Sequence, residues 1–118
     1  MTRAELVARI RQSEDPFVER KSNPDHDDVL AAVVAFANSV PPGREAVLYL
    51  GVRPDGTPVG IDNPDALQRK LNDWLDATYP RVAARYELLD GLASRPVLAV
   101  IIGASEERPH FEIGRAHV

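Results

Sequence analysis

The segment of residues 13–22, SEDPFVERKS, carries the side chains of this protein that are best suited to chemistry. Glu14 and Glu19 lie five positions apart, and Arg20 and Lys21 follow directly. Carboxylates are hard oxygen ligands of the kind that divalent cations prefer, and cations beside such an ion could hold a phosphate backbone against it. The same charges could instead pair with one another on a solvated strand. The segment is therefore either a metal and phosphate site or a self-paired strand.

The alternating pattern of residues 17–22, FVERKS, predicts a short, partly exposed strand that begins just after Pro16. Successive side chains of a strand point to opposite faces. One face is expected to carry Phe17, Glu19 and Lys21, and the other Val18 and Arg20. Glu19 and Lys21 should therefore lie side by side, whichever chemistry they serve.

The other residue patterns that indicate chemistry are absent or weak. The chain has no cysteine, which excludes disulfides and thiolate metal sites, and it has no phosphate-binding loop, GxGxxG or HExxH motif. His26 lies in the acidic sequence DHDD, but aspartate is common at helix starts because it caps them. We interpret DHDD as a solvated helix start, and we assign no chemical role to His110 or His117.

Three segments have the apolar spacing of helices. The first, TRAELVARIRQ, opens with Thr2 and has Glu5 three residues later, the pattern of a capping box. The second, NPDHDDVLAAVVAFANS, is expected to be a largely buried helix that ends near Asn38. The third, NPDALQRKLNDWL, has Asn63 to cap it and Pro64 at its first helical position.

Strand patterns fill the remaining chain. AVLYLGV and VGI flank the turn signal Asp55-Gly56 and are expected to form an antiparallel hairpin. AARYELLDG and RPVLAVIIG are expected to form a second one, with its turn near Asp90. The order α-β-α-β-β-α-β-β predicts an α+β fold, with a single mixed or antiparallel sheet of about five strands and two to three packed helices.

Size and charge limit the functions that this chain can have. Its 118 residues fit one domain, and its apolar runs are far shorter than the roughly 20 residues of a membrane helix. We therefore expect a soluble, cytoplasmic protein without a membrane partner. The net charge of −4 is unlike that of a nonspecific nucleic-acid binder. Residues 1–21 hold five basic and four acidic side chains, so any nucleic-acid role depends on a local patch.

The last residues, EIGRAHV, continue no pattern of the chain. They resemble the in-frame translation of a common sequencing adapter. We therefore expect residues 1–111 to form the domain and residues 112–118 to be a non-native tail. On this interpretation the natural protein continued past Phe111 into a further domain.

Several segments together resemble the Schlafen AlbA-type family, which carries a DNA-binding label. They are SEDPFVERKSN, AFANS, LYLGVRPDGTPVGI, LQRKLNDWL and VLAVIIGASEERPHF. Glu14, Glu19 and Lys21 match the family's Glu, spacer, Glu-x-Lys pattern, and the resemblance runs from about residue 12 to Phe111. It implies an α/β sheet domain within a larger bacterial regulatory protein. Helix-turn-helix or ATPase-like domains are the usual partners in the same chain.

The resemblance also implies a nuclease alternative. In vertebrate Schlafens the domain cleaves structured RNA with three carboxylates and a divalent metal, and two of these correspond to Glu14 and Glu19. Where the third is usual, this chain has Arg53 and Pro54, and the next carboxylate, Asp55, belongs to a turn. A positive charge at this position opposes metal binding. Glu14, Glu19 and Asp55 are thus the candidate ligands for Mg²⁺ or Mn²⁺.

Three hypotheses follow for the function. The first is a nucleic-acid-binding module that needs no cofactor and contacts phosphates through Arg20, Lys21, Arg44 and Arg53. The second is a divalent-metal-dependent endoribonuclease that uses Glu14 and Glu19 as catalytic residues. The third is a non-catalytic sensor or interaction domain, which could form homo-oligomers because sheet edges can pair between chains.

Overall fold

A computed structural model describes residues 1–12 and 15–113 of the chain. Within these ranges the helices are α1 (Arg3–Arg9), α2 (His26–Ser39) and α3 (Pro64–Leu75). The strands are β1 (Val18–Lys21), β2 (Glu45–Leu50), β3 (Thr78–Tyr79), β4 (Arg85–Leu89), β5 (Val97–Gly103) and β6 (Phe111–Glu112).

The main sheet has four strands in the order β1-β2-β5-β4. β1 runs parallel to β2, whereas β2 and β4 are both antiparallel to β5. β3 and β6 form a separate antiparallel ribbon. The α+β class with a mixed sheet and packed helices is confirmed, although the strands divide between two sheets. The β4–β5 pair confirms the second predicted hairpin.

Both faces of the main sheet are covered, which gives a three-layer domain. On one face, Leu48, Leu50 and Val100 pack against α2 and α3. On the other, Val47 and Tyr49 pack against Leu6 of α1 and its surroundings. All of the residues of β2 after Glu45 are buried, as expected for a central strand with helices on both sides.

The three helices begin where their capping residues predict. The Thr2 hydroxyl accepts a hydrogen bond from Glu5 N at 3.2 Å, and the Asp25 carboxylate accepts one from Asp28 N at 3.1 Å. Asn63 Oδ1 accepts one from Ala66 N at 3.1 Å. Each side chain satisfies an amide that has no partner within its helix. Within the described ranges, no helix has the length and apolar character needed to cross a membrane.

The predicted hairpin between AVLYLGV and VGI is wrong. After β2 the chain makes a single bridge, between Val52 and Pro58, and β2 pairs with the distant β5 instead. Gly51 has φ +93°, which turns the chain out of the strand, and its carbonyl accepts hydrogen bonds from both Val59 N and Gly60 N. A Cβ atom on Gly51 would lie 2.8 Å from the carbonyl carbon of Gly60. Two glycine backbones therefore cross closely here, where a ladder was expected.

Candidate nucleic-acid interface

Glu19 and Lys21 lie on the α2 face of β1, as the alternation predicts. Lys21 Nζ is 3.3 Å from Glu19 Oε1, and the two side chains are 22% and 45% exposed respectively. They border a shallow groove between β1 and α2, which Asp28 lines from the helix. The self-paired strand is thus the arrangement that the structure shows for these two charges.

The carboxylates that were expected to hold a metal are not brought together in the described residues. Glu14 lies outside those residues, and Asp55 belongs to the turn after β2. Its carboxylate accepts a hydrogen bond from Thr57 N at 2.9 Å, and this bond, helped by Arg53, lowers the pKa of Asp55. In residues 1–12 and 15–113, no three His, Cys, Asp or Glu side chains form a metal-binding group. The metal role of Glu14, Glu19 and Asp55 stays a prediction.

Arg20 points away from Lys21, to the face covered by α1. Its Nε donates a hydrogen bond to the carbonyl of Ile10, and its Nη2 is buried without a hydrogen-bond partner among the described residues. Nearby Tyr49 donates to Leu6 O at 2.5 Å, and burial raises the pKa of Tyr49 to about 12, against the opposing charges of Arg9 and Arg20. Arg20 therefore joins β1 to the end of α1, and its guanidinium does not share a surface with Lys21.

Arg44 and Arg53 lie beyond opposite ends of β2. Arg44 comes just before the strand, with its guanidinium 5.1 Å from the centre of the Phe17 ring. Arg53 follows the strand and is exposed. A strand of six residues spans about 20 Å at ~3.3 Å per residue. The four predicted phosphate contacts therefore do not form one patch, because Arg44 lies at the opposite end of the sheet from Lys21 and Arg53.

A groove of about 310 Å³ opens at this same end, just after β1. It is lined by Ser22, Asn23, Pro24, residues 60–63, Ala66, Leu67, Lys70 and Arg95. The carbonyl of Lys21 accepts hydrogen bonds from Gly51 N at 2.8 Å and Val52 N at 3.3 Å, which ties the end of β1 to the end of β2.

The groove collects positive charge from three sources. Arg95 reaches it from the loop before β5, where its Nη1 lies 2.9 Å from Asp62 Oδ1. Lys70 reaches it from α3 and forms no ion pair within the part of the chain that the structure describes. The positive end of the α3 dipole also faces this region, since Asn63 and Ala66 are lining residues. The groove is thus chemically suited to an anion.

Lys70 was missed from the sequence, although a signal for it exists. Asn63, Ala66 and Lys70 are spaced by three and four residues, so they share one face of α3. The apolar residues Leu67 and Leu71 mark the neighbouring buried face. Arg95 gave no comparable signal because a long-range contact places it. A Cβ atom on Gly60 would lie 2.3 Å from Arg95 O, so only the bare glycine lets this loop approach.

Asn38 and His110 form a second polar cluster, at the far end of α2. Asn38 Nδ2 donates to His110 O at 3.0 Å, and His110 N donates to Asn38 Oδ1 at 2.7 Å. The buried ring of His110 contacts Pro80 O at 2.6 Å and Ser105 Oγ at 2.7 Å. Asn38, near which the second helix was expected to end, thus fastens the segment before β6 to α2. The cluster is structural.

His26 remains where the interpretation of DHDD places it, at the start of α2. Its Nδ1 is 2.8 Å from Asp27 Oδ1, and its ring meets the edge or face of Trp74 with the ring centres 5.1 Å apart. Both side chains of the His26–Asp27 pair are at least half exposed. The helix start is solvated, as expected.

The class of domain is defined by a mixed four-stranded sheet with helices on both faces and a groove at the end of its parallel pair. The family model described as Schlafen, AlbA_2 matches residues 14–118, which is most of the chain. The chain belongs to this family, and the resemblance read from its motifs is confirmed.

One solved structure shows the same fold. It is the solution NMR structure of the N-terminal domain of a Nitrosomonas europaea protein that is named as related to the ATP-dependent DNA helicase RecG. The TM-score is 0.73 at 22% identity, and the match covers 98% of this chain and 82% of that chain. No curated protein matches at a significant level.

Proposed function

We propose that this domain binds nucleic acid through phosphate contacts at the carboxyl ends of β1 and β2. The observation that carries this proposal is the groove beside the start of α3, which Lys70 and Arg95 both line. Lys21 and Arg53 lie at the same end of the sheet, although neither lines the groove. Family membership supports a nucleic-acid role, and so does the similarity to a domain from a protein related to a DNA helicase.

The charge distribution defines what kind of binding is expected. The net charge of −4 repels a polyanion at long range, so the groove must attract phosphate at short range. Lys21 and Arg95 already face carboxylates, which a phosphate has to displace. Contacts of this kind position a backbone without reading bases. We therefore propose weak, salt-sensitive binding with little sequence preference.

We further propose that the domain acts within a larger bacterial regulatory protein, as the motif resemblance implies. The endoribonuclease alternative has no supporting observation in the described residues. Glu19 pairs with Lys21, and a metal would have to compete with that ammonium group for the same carboxylate. Nucleic-acid binding is therefore the function that the geometry supports best.

Fluorescence anisotropy with labelled 20-base oligonucleotides tests the proposal directly. Duplex and single-stranded probes should both bind at low salt, and an excess of unlabelled DNA of unrelated sequence should compete. Absence of binding to either probe at low ionic strength would refute the proposed function, because phosphate contacts are strongest there.

A further inference from the structure

The β4 edge of the main sheet is open. β4 is the last strand in the order β1-β2-β5-β4, and no described strand pairs with its outer side. An open edge presents unpaired N–H and C=O groups that invite another strand. The side chains of an edge strand then decide whether pairing is blocked or selected.

The charges of β4 on the α1 face are arranged in a way that favours self-pairing. Arg85 and Glu87 are both exposed and lie two residues apart on this face, above Ile101 and Ala99. Arg85 Nη2 lies 2.8 Å from Glu45 Oε2, which leaves other N–H groups of its guanidinium free to donate. Glu87 forms no ion pair within residues 1–12 and 15–113, so its carboxylate is available.

Only one antiparallel register of two β4 strands matches these charges. With Tyr86 opposite Tyr86 of a second copy, each Arg85 faces a Glu87, and both pairs repeat by symmetry. If the two strands were instead centred on residue 85, Arg85 would face Arg85 of the second copy, and if they were centred on residue 87, Glu87 would face Glu87. Opposite charges that face each other across strands stabilise pairing, and like charges oppose it. The charges therefore select the register as well as permitting it.

The other face of the same register is apolar. Tyr86 and Leu88 lie on the α3 side of β4, and Leu88 is 40% exposed although it is a large apolar residue. In the Tyr86-centred register, Leu88 faces Ala84 of the second copy and lies diagonal to its Tyr86. Aromatic and aliphatic cross-strand neighbours of this kind bury apolar surface. A second copy would thus cover the exposed leucine.

We propose that this face is a homodimer interface, in which two β4 strands pair antiparallel around Tyr86 through reciprocal Arg85–Glu87 contacts. The contact is isologous, as two-fold dimers require, and it joins two sheets into one. A pairing of about five residues is small beside a standard interface, so the dimer is expected to be weak and dependent on concentration.

Charge-swap variants of the full 118-residue chain test the proposal. The parent should show a mass that rises from 13.0 kDa towards twice that value as its concentration is raised in analytical ultracentrifugation. Arg85→Glu should remain monomeric, and so should Glu87→Arg, because each homodimer would place like charges opposite each other. An equimolar mixture of the two variants should dimerise again, since each Arg then meets a Glu.

The mixing step distinguishes two explanations for a loss of dimers in Arg85→Glu. One is repulsion at the interface, and the other is loss of the Arg85–Glu45 ion pair within one chain. That loss persists in the mixture, so it cannot explain recovered dimers. Circular dichroism should show all chains folded, and Glu106→Arg, an exposed change far from β4 in sequence, is the matched control. If Arg85→Glu unfolds the chain, Glu87→Arg and Leu88→Lys provide the test instead. Each is made as a single variant, and each should stay monomeric. A parent that stays monomeric at all concentrations, or a mixture that does not recover dimers, would overturn the proposal.

Discussion

Lys70 is the position at which the proposed phosphate groove can be tested most sharply. It lines the groove from α3 and forms no ion pair in the described part of the chain, so its charge is free to meet a phosphate. Arg69, its neighbour on the same helix, is exposed but does not line the groove. Lys70→Ala and Arg69→Ala remove the same charge from adjacent positions, so overall electrostatics change equally and only the groove contact differs.

The size of the effect follows from counterion release. Four cations are proposed to contact phosphate: Lys21, Arg53, Lys70 and Arg95. If each contacts one phosphate, the logarithm of the affinity for duplex DNA falls with the logarithm of salt with a slope of about −3.6. Affinity should then fall about 150-fold between 50 and 200 mM salt. Without Lys70 the slope should be about −2.7 and the loss about 40-fold.

The assay is a salt titration of oligonucleotide binding by fluorescence anisotropy for the parent and both variants. We expect Lys70→Ala to bind more weakly at every salt concentration and to reduce the slope by about 0.9, which is one phosphate contact. Arg69→Ala should keep the slope of the parent. Equal slopes for the two variants would show that the groove does not contact phosphate, even if the protein binds nucleic acid elsewhere.

Three further predictions concern the fold outside the groove and the nuclease alternative. Asn38→Ala removes both hydrogen bonds to the buried His110 backbone and should lower the free energy of unfolding by about 1–3 kcal/mol in urea denaturation. Although burial alone would raise it, hydrogen bonds from Phe17 N and Arg9 lower the pKa of Asp15 below 3.8. The ionised Asp15 carboxylate therefore contributes its full stabilisation of the fold above pH 3.8, and this contribution is lost as the pH falls through the lower folded-state pKa. Asp15→Asn should accordingly flatten the acid limb of the curve of unfolding free energy against pH. When structured RNA and Mn²⁺ are incubated with the protein, Glu19→Ala should cleave no less RNA than the parent does.

Each of these predictions has a matched control. Ser39→Ala removes a hydroxyl at the end of α2 that bonds only to Ala35 O at 2.7 Å, and it should cost less stability than Asn38→Ala. Asp73→Asn neutralises an exposed carboxylate with no ion pair in the described residues, and it should leave the acid limb unchanged. Cleavage that is lost in Glu19→Ala but kept in Glu106→Ala would establish the endoribonuclease alternative.

Local signals account for what the sequence predicted correctly. The start of α3 at Pro64 depends on one cap and one proline, and the shared face of Glu19 and Lys21 depends only on the two-residue period of a strand. The wrong hairpin has the opposite cause. The Asp55-Gly56 turn forms as its local signal predicts, but the strands that pair with β2 are β1 and the distant β5, so the turn does not set the strand pairing.

The candidate site was harder to predict because no single element contains it. Lys70 comes from α3 and Arg95 from the loop before β5, so their proximity is a product of the whole fold. Arg20 is a different case, because alternation alone already places it on the opposite face of β1 from Lys21. Adjacency in the sequence therefore does not bring these two cations onto one surface.

The order of strands keeps the proposed groove and the proposed dimer interface independent of each other. β1 and β4 are the two outer strands of the sheet, so β4 pairing would leave each groove open. The two-fold axis of an antiparallel pair is perpendicular to the joint sheet, and it would carry one groove to the opposite end of that sheet from the other. A short oligonucleotide could not span both, so dimerisation would add a second binding site without strengthening either. A loss of dimers in Arg85→Glu should therefore leave the oligonucleotide affinity per chain unchanged, apart from the small effect of two units of net charge, and the two proposals can fail separately.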